Sequence, residues 1–310
     1  MAEQASLWEQ AELLAGAAAS GTAVAEAAMP HRAAEPATTI PPRRPRRPQP
    51  EPAAPALSLP ALAPPARGVS RAAAPERILI LDTETTALSP EQGHCIEVGA
   101  VLFHVPTRAV LQQISFLLPA SENPAQAING IPAAVTRLAQ PRDEAIALFL
   151  AMAASAEVAV AHNAAFDRQW FGHGALPDLN LPWICSMEEM RWPAERHLKA
   201  TPSVRDLALA YGVPVWAAHR ALSDCHYLVH VFERCSELEA LLLAAREPRQ
   251  LYVARLSYAE RHRAREAGFR WNDPVPGAWS RRLTAGEAAE LGFPVAVVES
   301  DRSAALPRSA

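Results

Sequence analysis

The sequence predicts an α/β protein in which a mixed sheet is flanked by helices, preceded by a proline-rich segment and followed by a small α+β module. Three observations indicate this fold class. Short apolar runs, such as 78–81 and 158–161, alternate with longer amphipathic stretches. The 29 prolines of the 310-residue chain are concentrated ahead of residue 76, and aromatic residues interleave with arginines after residue 250.

The sheet is expected to begin with three largely antiparallel strands, near residues 77–82, 94–104 and 109–118. A further strand is expected at 158–162. A long amphipathic helix should follow residue 219, because apolar positions recur there every three to four residues. These positions are Leu222, Cys225, Leu228, Phe232, Cys235, Leu238 and Leu242.

Two carboxylates stand at the end of the first predicted strand. Asp82 and Glu84 are two residues apart, so their side chains should project from the same face of the strand. Like charges beside a core are costly, whereas a divalent cation between them makes the arrangement favourable. A lone pair of this kind is more typical of a solvated strand end than of a metal site, so the metal site depends on further residues.

Further acids and one histidine occur in matching positions. Asp167 lies just past the strand expected at 158–162, at the end where ligand sites collect in sheets of this kind. His219 and Asp224 are five residues apart, which in one helix would separate their side chains by about 140°. We therefore expect His219 to precede the helix and Asp224 to lie in its first turns.

The three motifs 81–88, 162–167 and 219–224 together resemble those of the DEDDh 3′–5′ exonucleases. This superfamily has an RNase H-like fold and includes the proofreading (epsilon) subunit of bacterial DNA polymerase III. The resemblance implies an exonuclease domain over residues 76–245. It also implies metal-dependent release of nucleoside 5′-monophosphates from 3′ ends, with single-stranded DNA favoured, in replication proofreading or repair.

The resemblance also assigns roles to single residues. Two divalent ions, Mg²⁺ or Mn²⁺, would be bridged by Asp82, with Glu84 and Asp224 completing one site and Asp167 holding the second ion. His219 would take the proton from the attacking water, since a histidine pKa near 6.5 suits a general base. Substrate contacts are implied at Thr83, Thr85, Thr86, Leu88, His162, Asn163 and Phe166.

Ala87 departs from the family pattern, which usually has glycine after the paired threonines. If that position needs a positive φ, alanine strains the loop beside the substrate's 3′ end.

Two other functions remain open on the residues alone. An exoribonuclease would use the same acids and would need a contact to the 2′-hydroxyl. An adaptor that binds nucleic acid or a sliding clamp, with an idle nuclease domain, is a different class of function. The complete set of four acids and one histidine favours an enzyme.

The N-terminal region is expected to be a tail over residues 1–32, with a short helix near 5–29, and a disordered Ala/Pro/Arg-rich linker over 33–75. Gln4, Leu7 and Trp8 resemble the short peptide by which bacterial replication proteins bind the sliding clamp. The alternative is that Leu7 and Trp8 pack on the helix or the domain.

Composition limits the setting and the partners. The net charge of −4 argues against a broad basic surface for nucleic acid, although a local basic patch is compatible with it. The four cysteines lie in apolar segments, which indicates reduced thiols in a cytoplasmic protein. The sequence predicts no signal peptide and no membrane span.

The C-terminal region is expected to form a small basic and aromatic module over residues 250–300, followed by a disordered tail at 301–310. Arginines supply phosphate contacts and aromatics supply stacking faces, so the module is predicted to bind nucleic acid. The alternative is that the aromatics form the module's own core, and at least one tryptophan must be structural in so small a unit. These residues are Tyr258, Arg261, Arg263, Arg265, Phe269, Arg270, Trp271, Trp279, Arg281 and Arg282.

Overall fold

The computed structural model describes residues 73–216 and 219–298, and the first of its two sheets has five strands. The strands are β1 (Arg77–Thr85), β2 (Cys95–His104), β3 (Ala109–Leu117), β4 (Val158–Ala161) and β5 (Trp183–Cys185). Their order is β3-β2-β1-β4-β5. β2 runs antiparallel to β1 and β3, whereas β4 runs parallel to β1 and β5. The mixed α/β sheet confirms the predicted fold class, and the three antiparallel strands lie where the sequence predicted them.

Seven helices accompany this sheet within the described ranges. They are α1 (Gln126–Asn129), α2 (Ala133–Thr136), α3 (Arg142–Ser155), α4 (Ala164–Arg168), α5 (Val204–Ala210), α6 (Ala221–Arg234) and α7 (Leu238–Ala245). A short 3₁₀ turn lies at Ala194–Arg196. Helix α5 begins with a reciprocal capping box between Ser203 and Asp206, which satisfies free backbone N–H groups at its start.

The two faces of the sheet carry separate apolar cores because successive strand residues point in opposite directions. Ile78 and Ile80 of β1 pack on the face covered by α5, α6 and α7. Leu79 and Leu81 pack on the other face, against α3 and the segment that follows α4. The alternation continues to the end of β1, so Asp82 and Glu84 lie on the α6 face, while Thr83 lies on the α4 face.

The predicted long helix after residue 219 is two helices, and this part of the prediction was wrong. Helix α6 ends at Arg234 because Cys235 adopts an extended conformation, with φ of −89° and ψ of 106°. Helix α7 then begins at Leu238. Cys235, Leu238 and Leu242 all remain buried in the same core, so the apolar recurrence continues through the break.

The second sheet lies in the C-terminal region and has four strands. They are β6 (Gln250–Ala254), β7 (Arg270–Trp271), β8 (Trp279–Leu283) and β9 (Val295–Val297), in the order β7-β8-β6-β9. A 3₁₀ turn at Tyr258–Glu260 leads into α8 (Arg261–Glu266), and α9 spans Ala285–Glu290. This small α+β unit confirms the predicted class, while α9 and β9 were not predicted.

The N-terminal predictions lie outside the described residues, including the clamp-binding peptide at Gln4, Leu7 and Trp8 and all but the end of the 33–75 linker. None of the helices within the described ranges combines the length and hydropathy that a bilayer span requires. All four cysteines are buried and free, and no disulfide joins them.

Candidate active site

The end of β1 brings three carboxylates together. Asp82 and Glu84 face α6, and Asp224 lies in the first turn of that helix. One oxygen from each of these three side chains lies within 4.8 Å of the others. Oδ1 of Asp224 is buried and has no hydrogen-bond partner among the described residues. A cluster of hard oxygen donors with an unsatisfied buried lone pair is a suitable site for a divalent cation.

Asp167 approaches the same pocket from the opposite face of β1. Its Oδ1 accepts hydrogen bonds from the backbone N–H of Thr83, at 3.0 Å, and from the Thr83 hydroxyl, at 2.8 Å. Asp167 is 2% exposed and lies in helix α4, which follows strand β4 directly. The parallel pairing of β4 with β1 therefore places the two strand ends, and their carboxylates, at one edge of the sheet.

Burial raises the pKa values of all four acids, and neighbouring carboxylates raise them further. Burial, and then Asp167 and Asp224, hold the pKa of Asp82 well above its usual range. Burial, and then Asp224, do the same for the pKa of Glu84. Burial raises the pKa of Asp167 and of Asp224 to about 7, against the opposing effect of the hydrogen bonds each accepts. Without a cation, the pocket is therefore an unfavourable place for four ionised carboxylates.

His219 precedes helix α6, as predicted from the five-residue offset, and Asp224 lies within the helix. The backbone of His219 is in the left-handed region, with φ of 62°. Its N–H donates to Oδ2 of Asp224 at 3.2 Å. The imidazole lines the pocket, and desolvation by the surrounding atoms lowers its pKa below the usual value. The ring is therefore neutral at pH 7, the form that can accept a proton.

An ion pair between buried Glu97 and half-exposed Arg220 holds the segment between His219 and helix α6. Glu97 of β2 is 2% exposed, and its carboxylate accepts from Nε and NH2 of Arg220 at 3.0 and 2.9 Å. The same carboxylate accepts from the Ala221 N–H at 3.2 Å and from the Ser115 hydroxyl at 3.0 Å. Glu97 pairs with Glu84 in the β1–β2 register, so this network borders the acidic cluster.

Most of the predicted substrate residues line the pocket, but several use their polar groups internally. Thr83, Thr85, Leu88, His162, Asn163 and Phe166 are lining residues. Thr86 does not line the pocket. Its hydroxyl accepts a hydrogen bond from the backbone N–H of His94. The Thr85 hydroxyl donates to the Ala87 carbonyl at 2.7 Å.

His162 is part of the pocket wall. Its Nε2 lies 2.9 Å from the Pro202 carbonyl and its Nδ1 lies 3.0 Å from the Ser186 hydroxyl, so both ring nitrogens have partners. A carbonyl can only accept, so Nε2 carries the hydrogen. Burial lowers the pKa of His162 to about 4, which keeps the ring neutral.

Ala87 does not adopt a positive φ, so the condition under which we expected strain in this loop is not met. Four non-glycine residues of the described chain have positive φ, namely Arg108, His197, His219 and Asn272, and Ala87 is not among them. Gly93 makes room for the alanine instead, since a Cβ built on Gly93 would lie 2.6 Å from the Ala87 Cβ.

Sequence reasoning missed the far wall of the pocket. Ala125, Ile128 and Asn129 line it from helix α1 and the residue before it, and Val204 and Leu228 line it from α5 and α6. The Asn129 amide donates to the Thr85 carbonyl at 3.2 Å and so holds the loop after β1. The Asn-Gly pair at 129–130, a turn signal, was the available hint, and Gly130 has φ of 67°.

Two family models match the chain. Residues 79–232 match the model described as "Exonuclease". Residues 250–298 match a domain of unknown function (DUF8626). No curated protein matches the chain.

Several solved structures are similar to the chain. Exonuclease X in complex with 5′-overhanging duplex DNA is 27% identical, with a TM-score of 0.40 over 54% of this chain and 99% of that chain. E. coli exonuclease I in complex with a dA16 oligonucleotide is 15% identical, with a TM-score of 0.40 over 54% of this chain and 42% of that chain. The nuclease domain of 3′hExo, a DEDDh family member bound to rAMP, is 13% identical, with a TM-score of 0.41 over 52% and 91%. Because all three TM-scores lie below 0.5, we draw nothing about substrate from them.

Proposed function

We propose that the chain is a metal-dependent 3′–5′ exonuclease of the DEDDh type, a proposal supported by the match of residues 79–232 to the exonuclease family model. It releases nucleoside 5′-monophosphates from 3′ ends, with single-stranded DNA as the favoured substrate, in proofreading or repair. The observation that carries the proposal is the convergence of Asp82, Glu84, Asp167 and Asp224 with His219 around one pocket.

The donor set fits divalent cations. The three oxygens of Asp82, Glu84 and Asp224 are close enough to share an ion, and the buried Oδ1 of Asp224 has no other partner among the described residues. Asp167 enters from the other face of β1, where it would help to hold a second ion. Mg²⁺ or Mn²⁺ would supply charge stabilisation to the phosphodiester and a lowered pKa to a bound water. Oxygen ligands without thiolates favour these two ions.

His219 is the general base of the proposed reaction. Its neutral imidazole lines the pocket that contains the four acids. The backbone N–H of His219 donates a hydrogen bond to Asp224, which fixes the backbone just ahead of helix α6. A proton from the attacking water would pass to the free ring nitrogen. Water oxygen would bond to phosphorus while the bond from phosphorus to the 3′ oxygen of the penultimate nucleotide breaks. That oxygen takes up a proton and becomes the 3′-hydroxyl of the shortened strand, and the released nucleotide keeps a 5′-phosphate.

The walls of the pocket orient the substrate. Leu88, Ile128 and Phe166 offer apolar surface next to the acids, which suits the faces of the terminal bases. The loop that carries Leu88 is held in place by Gln169, whose side-chain amide donates a hydrogen bond to the Leu88 carbonyl at 3.0 Å. A fixed loop keeps the 3′ end aligned with the carboxylates, which is a main contribution of positioning to catalysis.

The test uses the full chain with Mg²⁺ or Mn²⁺ on single strands of DNA and RNA of the same sequence, labelled at one end. We expect a 5′-labelled DNA strand to shorten stepwise and a 3′-labelled strand to yield labelled 5′-mononucleotide as the first product. Asp167→Asn should abolish both, and Asp143→Asn, which changes an acid in the first turn of α3 outside the pocket, should not. Initial release of nucleotides from the 5′ end would refute the polarity.

The same experiment separates the alternatives. Faster hydrolysis of RNA would assign the chain as an exoribonuclease. Hydrolysis of neither polymer, with the metal bound, would assign the domain to an adaptor.

A further inference from the structure

The C-terminal sheet has a pocket of its own that the proposed nuclease site does not use. Its volume is about 580 Å³, and it lies between the end of β6 and the strands β7 and β8. Its aromatic and basic lining residues are Arg255, Tyr258, Arg261, Trp271 and Trp279. An adjoining depression is lined by Arg261, His262, Arg265 and Trp279, so the two share one continuous surface.

The aromatic residues of this module divide into two groups. Tyr252 and Phe269 are buried, at 8% and 3% exposure, and form the module's core. Tyr258 and Trp271 are 80% and 49% exposed. Trp279 belongs to both groups, because it packs on the core while its ring lies 5.8 Å from that of Trp271. Core packing therefore accounts for Trp279, but it does not account for the exposure of Tyr258 and Trp271.

The charge around the pocket is positive. No carboxylate among the described residues pairs with Arg255, Arg261 or Arg265, and no acid lines either depression. The guanidinium of Arg261 lies 3.7 Å from the centre of the Tyr258 ring and donates to the Tyr258 carbonyl. The nearby acids are already engaged: Glu260 pairs with Arg263 at 3.0 Å, and Asp273 pairs with Arg270 at 3.5 Å.

We propose that this pocket is a second nucleic-acid site, which binds a single strand through base stacking on Trp271 and Tyr258 and phosphate contacts to Arg255 and Arg261. Exposed aromatic side chains beside arginines that no described carboxylate neutralises are the combination that suits single-strand binding. A proline-rich peptide would also fit an aromatic groove. The chain's own proline-rich segment carries Arg43, Arg44, Arg46 and Arg47, and the arginines of the pocket would repel it. Charge complementarity therefore favours a polyanion.

The module is fixed against the nuclease domain, which gives the second site a use. Arg270 pairs with Glu188 at 2.6 Å, and Arg191 pairs with Glu287 at 2.7 Å. Arg249 pairs with Glu287 and donates to the Glu189 carbonyl at 3.0 Å. A strand held by the module is thereby kept at a raised effective concentration for the nuclease domain to which the module is fixed.

The test measures fluorescence anisotropy of a labelled oligothymidylate in EDTA, with the full chain. Trp271→Ala should weaken binding about 5- to 30-fold, since each stacked base contributes on this scale. Arg255→Ala should weaken binding and reduce the slope of log affinity against log salt by about 0.7. The control is Arg234→Ala, which removes an exposed arginine at the end of helix α6 that lines neither this pocket nor the acidic one, and it should change affinity less than about twofold.

Two outcomes would overturn this site. One is oligothymidylate binding that is unchanged in Trp271→Ala. The other is saturable binding of a peptide spanning residues 33–75 that Trp271→Ala abolishes, which would assign the pocket to a proline-rich segment. A hydrolysis assay keeps this test separate from the nuclease proposal. Trp271→Ala should slow hydrolysis of a long strand but not of a dinucleotide, whereas failure of the nuclease proposal would leave both substrates intact and the anisotropy result unaffected.

Discussion

The buried carboxylate of Glu97 lies beside the cluster of Asp82, Glu84 and Asp224, and the two differ in what neutralises their charge. Glu97 receives four hydrogen bonds, two of them from the guanidinium of Arg220. Asp82, Glu84 and Asp224 face one another with raised pKa values, and Asp224 keeps a buried oxygen without a partner among the described residues. Arg220 supplies the counter-charge for Glu97. Among the described residues, no arginine or lysine forms a salt bridge with an acid of the cluster.

The difference separates structure from function. A carboxylate that a protein cation neutralises contributes to the fold, and its loss leaves that cation without a buried partner. A carboxylate cluster that lacks such a cation costs stability until a metal ion binds, and such costs persist where function requires them. Substitution in the cluster should therefore lower activity strongly without loss of stability, whereas substitution of Glu97 should lower stability and reduce activity much less.

The largest effect is expected at Asp82. Asp82→Asn removes one donor of the cluster and should lower the rate of nucleotide release on the order of 10³-fold or more. In EDTA its unfolding temperature should equal or exceed that of the unmodified chain, because one buried charge is gone. Thermal unfolding and single-strand hydrolysis measured on the same preparation test this pair of effects, and a large loss of stability would place Asp82 with Glu97 as a structural acid.

The next largest effect is expected at His219. His219→Gln keeps the backbone N–H that donates to Asp224 but removes the ring that accepts a proton. Hydrolysis should slow by about 10²- to 10³-fold, the range for loss of a general base. His230→Gln is the matched control on helix α6, since that ring bonds to Glu233 and does not line the pocket. Calorimetric titration should show that His219→Gln still binds the metal. Loss of metal binding in this variant would contradict a purely proton-accepting role for His219.

A smaller effect on the rate, with a clear effect on stability, is expected at Glu97. Glu97→Gln leaves Arg220 without its anion, and because that arginine is half-exposed the cost should be about 1–3 kcal/mol. The start of α6 would then be less fixed, and hydrolysis should fall about tenfold.

The matched control for Glu97 is Glu157, another buried acid of the same domain. Its side chain is 9% exposed, pairs with Arg77, and accepts backbone N–H groups of residues 76 and 77, at the opposite end of β1. Glu157→Gln should cost similar stability and leave the hydrolysis rate unchanged. Equal loss of rate in both variants would mean that Glu97 acts only through global stability.

The choice of the four acids and His219 as candidate site residues, and the positions of the three antiparallel strands, could be predicted from the sequence because each depends on a local pattern in the chain. Asp82 and Glu84 follow from strand alternation, and the five-residue offset places His219 ahead of the helix. The bond between Arg220 and Glu97 joins residues 123 positions apart, so no local pattern contains it.

Two further misses have different causes. The break at Cys235 was hidden because the residues on both sides of it stay in one core, and the apolar recurrence therefore continues. Helix α9 could have been found, since Thr284 and Glu287 form a capping box that is readable as T-x-x-E.

The smallest effect is expected in the metal-free protein, where Asp224→Asn should be stabilising. The pKa of Asp224 is raised to about 7 in the folded protein, chiefly by burial, from a usual value near 3.8. The folded state therefore binds more protons than the unfolded state between these values, and stability falls as the pH rises through 7. At pH 8 in EDTA, Asp224→Asn should raise the unfolding temperature by roughly 3–6 °C, and at pH 4 the gain should vanish.

The pH series in EDTA is interpretable because His162 has the opposite slope in both proteins. Its lowered pKa, about 4, destabilises the folded state as the pH falls below about 6.5, and the difference between variant and unmodified chain removes this contribution. At pH 8, excess Mg²⁺ should make the unmodified chain the more stable of the two. The ion stabilises the unmodified chain by binding its carboxylates, whereas the Asp224→Asn variant has lost one of these ligands. If the unmodified chain is the more stable one in EDTA, or if Mg²⁺ leaves the order unchanged, the cluster is neutralised by the protein itself and the contrast with Glu97 is lost.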